Sequence, residues 1–181
     1  MEKKPWKPGC SVFFFLRDIF IGSSDQNTVT DMEFEYIDIF YGDQNTIQYC
    51  SISNGYTTLI YLFQANDTYI YRTYLCGVDD DDTGIYIKDS QDVEIDGYES
   101  GEDPSEIDNC YRVLRVESVH IASSVFFHHY EINEVTDPDD YEDDVYLTGN
   151  PSHSTKGTYN TLTCDTGLDE YDDAYSTWTE V

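Results

Sequence analysis

The chain has 181 residues, with 9 Lys and Arg against 37 Asp and Glu, for a formal charge of −28. That length holds one domain with a core, with or without a tail, and not a second full domain. The charge excludes direct binding to nucleic acid or to an anionic membrane. A hydrophobic fraction of 39% that includes 17 Tyr and 9 Phe favours half-buried pleated surfaces, so strands are expected.

Lys3, Lys4 and Lys7 precede an apolar run at residues 11–16 that includes Phe13, Phe14 and Phe15. Arg17 and Asp18 stop the run before it reaches the length of a signal h-region, so it reads as a strand. No apolar stretch approaches the roughly 18 residues of a membrane span, and membrane insertion is not expected. Residues 32–41 alternate Met, Phe, Tyr, Ile and Phe with carboxylates, the period of a strand with one wet face. Residues 42–45 make a turn, residues 46–53 a strand, Asn54-Gly55 a two-residue hairpin and residues 56–64 its partner. Asn66-Asp67 reads as another turn, residues 68–78 as a strand, residues 79–83 as a charged connection and residues 84–89 as a strand.

Residues 96–109 carry Gly97, Gly101 and Pro104 among carboxylates and read as an exposed acidic loop. Strand-like alternation resumes over residues 110–119 and 121–135, with helix a minor component. No repeat of 20–50 residues is visible, so neither a solenoid nor a propeller is expected. The expectation is an all-β fold: an antiparallel meander forming a β-sandwich, of immunoglobulin type or otherwise, or a barrel. Its domain spans residues 1–135. Residues 136–181 form an acidic, tyrosine-rich, partly irregular segment that packs on the sheet or stays disordered, with one strand near residues 158–164.

The acidity is uneven. Residues 1–78 carry 5 basic and 9 acidic side chains, whereas residues 79–181 carry 4 and 28, for a net −24 that would draw cationic partners. Cys10, Cys50, Cys76, Cys110 and Cys164 show no zinc-site spacing. They suit two bridges and a leftover thiol outside the cell, or buried small hydrophobes inside it. Asp79 to Asp82 followed by Thr83 and Gly84 opens like a calcium loop, but Ser90 stands where an EF-hand needs glutamate. A looser calcium site on Asp79, Asp81 and Asp89 competes with a solvated turn. His129 and Glu131 would share a strand face, with His128 on the other, but no third ligand lies close in sequence. G-x-S-x-G, P-loop, G-x-G-x-x-G and H-E-x-x-H motifs are all absent, so no enzyme is expected and no cofactor beyond calcium.

Asp82-x-Gly84-x-Tyr86, with Val78 four residues before Asp82 and Leu75 three before that, resembles the strand E to F corner of immunoglobulin variable-type domains. The resemblance implies a sandwich, a tyrosine hydroxyl capping that corner, and a binding role. Gly9, Ser11 and Val12 are similar to the opening of that family's strand B. Lys88 and Leu16 stand where the family places its cysteines, and its strand C tryptophan has no counterpart.

Tyr98, Tyr141, Tyr146, Tyr171 and Tyr175 lie among carboxylates, with Asp140, Glu142 and Asp143 bracketing Tyr141. Such segments look like those that dock on cationic protein surfaces, and they equally suit solvated tails. Asn66-Asp67-Thr68 is a glycosylation acceptor pattern. The expected function is an acidic protein that engages or sequesters a basic protein, such as a secreted cytokine, chemokine or protease, in a secreted or extracellular setting. The alternatives are a calcium-binding structural or matrix protein and an intracellular acidic nucleic-acid mimic.

Overall fold

The computed structural model describes residues 16–53, 57–77, 83–97, 105–108, 110, 112–121, 123–128, 130–133, 145–148, 160–164, 170–172 and 176–180. The chain winds in coils. The first holds β1 (Leu16–Gly22), β2 (Thr28–Thr30) and the start of β3 (Glu33–Phe40). The second holds the end of β3, β4 (Thr46–Gln48) and β5 (Ser51–Ser53). The third is β6 (Thr58–Phe63), β7 (Tyr69–Tyr71) and β8 (Tyr74–Cys76), and the fourth is β9 (Thr83–Lys88), β10 (Val93–Asp96) and β11 (Ser105–Asp108). The fifth is β12 (Arg112–Glu117), β13 (Ser123–His128) and β14 (Tyr130–Asn133). Then come β15 (Val145–Thr148), β16 (Asn160–Cys164), β17 (Glu170–Asp172) and β18 (Ser176–Glu180).

Strands pair with their equivalents in neighbouring windings, and every pairing among the described residues is parallel. The seven-stranded sheet runs β18-β16-β13-β10-β7-β4-β2. The 11-stranded sheet folds at β3, whose first residues pair with β5 and whose last residues pair with β6. One half (β1, β6, β9, β12, β15, β17) forms the first face of a parallel β-solenoid and the other half (β5, β8, β11, β14) the third, with the seven-stranded sheet as the second.

The burial pattern shows why these residues form these elements. β6 and β12 both read intermediate, buried, buried, intermediate, buried, intermediate, so the alternation slips once where the chain turns from the third face to the first. Inward positions stack in register as Ile37, Ile60, Ile85, Leu114 and as Ile39, Leu62, Ile87, Val116, all fully buried. Ile47, Ile70, Ile95 and Phe127 do the same on the second face. Like packs on like at the strand spacing of about 4.8 Å.

The corners are made by polar and aromatic residues in the left-handed region. Ser23, Tyr41, Gln64 and Asp89 hold one corner in successive windings, and Gln26, Gln44, Asp67 and Asp92 the next. Side chains bridge the windings there. The Asp43 amide donates to Asp25 Oδ1 at 2.9 Å, Asn66 Nδ2 to Asp43 Oδ1 at 3.0 Å, and the Gln91 amide to Asn66 Oδ1 at 2.9 Å. Inside this corner Asn27 Nδ2 donates to Asn45 Oδ1 at 2.8 Å. A Cβ at Gly42 would sit 2.4 Å from the Ser24 carbonyl oxygen, so the second winding requires glycine there.

This architecture corrects the expected one. Among the described residues the strands form neither an antiparallel meander nor a β-sandwich or closed barrel, and the immunoglobulin-type sandwich falls with them. The hairpin at Asn54-Gly55 does not form as a pairing: β5 pairs with β3 and β8, and β6 with β3 and β9. Asn54 and Gly55 themselves lie outside the described residues. The expected absence of a solenoid is also overturned by the parallel register, and the repeat escaped a fixed-period search because windings differ in length. Partners are 18 residues apart from Thr28 to Thr46, 23 from Thr46 to Tyr69, 25 from Tyr69 to Glu94 and 32 from Glu94 to Phe126. Described residues within 136–181 enter both sheets as β15 to β18, and β11 lies inside the stretch expected to be a loop.

Candidate binding face

On the first face the outward residues form two adjacent columns. One runs Phe20, Asp38, Tyr61, Tyr86, Arg115 in register, and the other Gly22, Phe40, Phe63, Lys88, Glu117. The rings interlock across windings. Phe20 stacks on Phe40 with centroids 5.2 Å apart, Phe40 meets Tyr61 edge-on at 5.3 Å, and Tyr61 lies 4.9 Å from Tyr86. Gly22 makes room for this: the Phe20 ring covers it, with Cε1 2.9 Å from where a Cβ would stand. At the adjoining corner Tyr41 packs edge-on against Phe63 at 5.2 Å. Phe20 is 69% exposed and Tyr41 56%, so the strip presents aromatic surface to solvent.

At the fourth and fifth windings the strip carries its own cation. The Arg115 guanidinium carbon lies 4.6 Å from the centre of the Tyr86 ring, and Arg115 Nη2 lies 3.4 Å from Glu117 Oε2. Glu117 also accepts from Lys88 Nζ at 3.3 Å and from the Tyr86 hydroxyl. Burial first, and then the hydrogen bond to Glu117, push the Tyr86 phenol well above its ordinary range. On the second face Arg72 lies 5.9 Å from the Tyr49 ring centre and 5.6 Å from that of Tyr71, beside Tyr69. Burial, with Asp96 and Glu94 adding, pushes Tyr69 up to about 12.

These shifts have a definite sign. A phenol raised in the folded state is held neutral by the fold, so its contribution is complete below the ordinary value of 10.0 and is lost as pH rises through about 12. Stability is therefore expected to fall across that alkaline window, and Tyr69→Phe should flatten the fall. Chemical denaturation at a series of alkaline pH values measures it. An unchanged slope in Tyr69→Phe would show that its phenol titrates alike in both states.

The sequence-predicted residues are distributed unevenly. Tyr146 and Tyr171 stand at register positions that continue the Tyr86–Arg115 column into β15 and β17. Tyr98, Asp140, Tyr141, Glu142, Asp143 and Tyr175 lie outside the described residues, as do Asp79, Asp81 and His129. Asp89, the third residue of the expected calcium site, is fully buried, and its Oδ1 accepts from the backbone amides of Val119, His120 and Ile121 at 2.6, 2.8 and 3.1 Å. It closes the turn between β12 and β13 instead of facing solvent. Asn66 is tied into the corner ladder, and Thr68 of its acceptor pattern is buried with its hydroxyl donating to the Ala65 carbonyl. Among the described residues no three His, Cys, Asp or Glu side chains group as metal ligands. Cys50 is a buried free thiol, pushed up chiefly by burial; Cys76 and Cys110 are buried as well.

Sequence reasoning missed Phe20, Asp38, Phe40, Tyr61, Phe63, Tyr86 and Arg115 as one surface. A signal was present. The tetrapeptide Asp-Gln-Asn-Thr occurs at residues 25–28 and again at 43–46, and Asn66-Asp67-Thr68 follows at the equivalent corner. Aligning the chain on those corners puts the rings in columns. Comparison with protein-family models, with characterised proteins and with solved structures gives no match.

Proposed function

We propose that the protein is a non-catalytic binding protein that docks a basic protein partner on the outer first face of its solenoid. The observation that carries this reading is Arg115 seated over Tyr86 and bridged to Glu117. An arginine held by a ring face and a carboxylate is what a cationic partner would offer to the remaining rings of the strip. Rigid stacked aromatics supply contact area at low entropic cost. The charge of −28 supplies long-range attraction, which speeds encounter and weakens with salt.

The test is binding of the purified protein to a panel of basic secreted proteins and basic DNA-binding proteins at low and high ionic strength. Selective, salt-weakened binding that drops on Phe20→Ala is the expected result, and the class of the selected partner separates a secreted ligand from a nucleic-acid-mimic role. Uniform sticking to every cation, unchanged in Phe20→Ala, would overturn the reading.

A further inference from the structure

Two stations on the strip differ in one respect. At Tyr86 the ring, the carboxylate of Glu117 and the guanidinium of Arg115 are all present. At Tyr61, one winding earlier, the ring is present and carboxylates are present, but among the described side chains no cation joins them. Asp38 stands between Phe20 and Tyr61 in its column, on neighbouring parallel strands about 4.8 Å away on either side. Phe40, in the adjacent column, touches both rings, at 5.2 and 5.3 Å. Burial, and then repulsion from Asp18, raise the Asp38 carboxyl above its ordinary value. Lys88 and Arg115 pair with Glu117 at 3.3 and 3.4 Å, whereas the charged neighbour acting on Asp38 is another carboxylate, Asp18.

We infer that Phe20, Asp38, Phe40 and Tyr61, with Asp18 at the rim, form a seat for the guanidinium or methylated ammonium group of a partner's side chain. The inference rests on the docking reading above and gives it a recognition chemistry. The rings supply negative faces against which a weakly hydrated cation packs, a guanidinium lying flat and a methylated ammonium through its methyl groups, and Asp38 supplies the counter-charge. Arg115 is the chain's own copy of that ligand. A plain lysine ammonium fits less well, because it is more strongly hydrated and loses more water on packing against the outer ring faces.

The experiment uses the full chain and three probes: a tri-arginine peptide, a peptide of the same length bearing trimethyllysine, and tri-lysine. Calorimetry gives affinity, and proton resonances of Phe20, Phe40 and Tyr61 give location. Tri-arginine and trimethyllysine are expected to shift those resonances and to bind more tightly than tri-lysine. Asp38→Asn and Phe20→Ala should each weaken tri-arginine by roughly three- to thirtyfold. Phe126→Ala, 45% exposed on the second face, should leave it unchanged. Phe20 is exposed enough that its truncation leaves the fold intact, which circular dichroism checks. Equal affinity in Asp38→Asn and wild type, or shifts at Tyr69 and Tyr71 instead, would overturn the seat. A basic protein held equally by wild type and Asp38→Asn would overturn the seat and leave the docking reading standing. Tri-arginine in the seat with no basic protein bound would do the reverse.

Discussion

Asp89→Ala is expected to destabilise the fold by about 2–4 kcal/mol. The Asp89 side chain is fully buried, and Oδ1 alone accepts three consecutive backbone amides, those of Val119, His120 and Ile121. Removing it leaves donors at the start of the turn into β13 without an acceptor, and charge-assisted bonds are the stronger kind. A second cost comes from the backbone. Asp89 has φ 50, where alanine is strained by about 1–2 kcal/mol and asparagine is not. Asp89→Gly therefore isolates the hydrogen bonds from the strain and should cost less than alanine. Asp89→Asn, which keeps an acceptor oxygen, should cost least of the three. Denaturant unfolding of the set measures this. A set of near-neutral variants would mean that Asp89 behaves as a solvated turn residue, the alternative weighed against a calcium site on Asp79, Asp81 and Asp89.

Strands and their wet and dry faces were legible in the sequence, because period-two alternation depends only on one face being buried. Residues 32–41 read as a strand and contain β3. The direction of pairing was not legible. Parallel strands commonly lie between helices and read as continuous apolar runs, whereas alternation signals a sheet with one solvated face. A solenoid has parallel strands and a solvated outer face together, so Asp38, Tyr61 and Tyr86 alternate with isoleucine and leucine as they would in a meander. Corner residues added to the confusion. Asn66-Asp67 resembles a hairpin turn because a hairpin and a solenoid corner use the same left-handed backbone. The register of the binding strip depended on winding lengths, which grow from 18 to 32 residues between Thr28 and Phe126 and hide the repeat from a fixed-period search.

A fold built this way distributes its stability along an axis, and substitutions in the central stack test that directly. Ile60 is fully buried between Ile37 and Ile85, its partners in the windings before and after. Ile60→Ala removes apolar contacts at both interfaces and leaves a cavity that parallel backbones on both sides hold open, at an expected cost of about 2–5 kcal/mol. Ile19 stands in the same column at β1 but is only partly buried. It faces one described neighbour, Ile37, so Ile19→Ala should cost roughly half as much or less. In a stack, each winding contacts only those beside it, and opening propagates from the weakened interface outward. Native-state hydrogen exchange should accordingly show Ile60→Ala speeding exchange in β3, β6 and β9 together, and Ile19→Ala speeding it in β1 and β3 while β9 and β12 stay protected. Equal acceleration across all strands in both variants would require a single undivided core, which an arrangement of strands paired only between neighbouring windings does not provide.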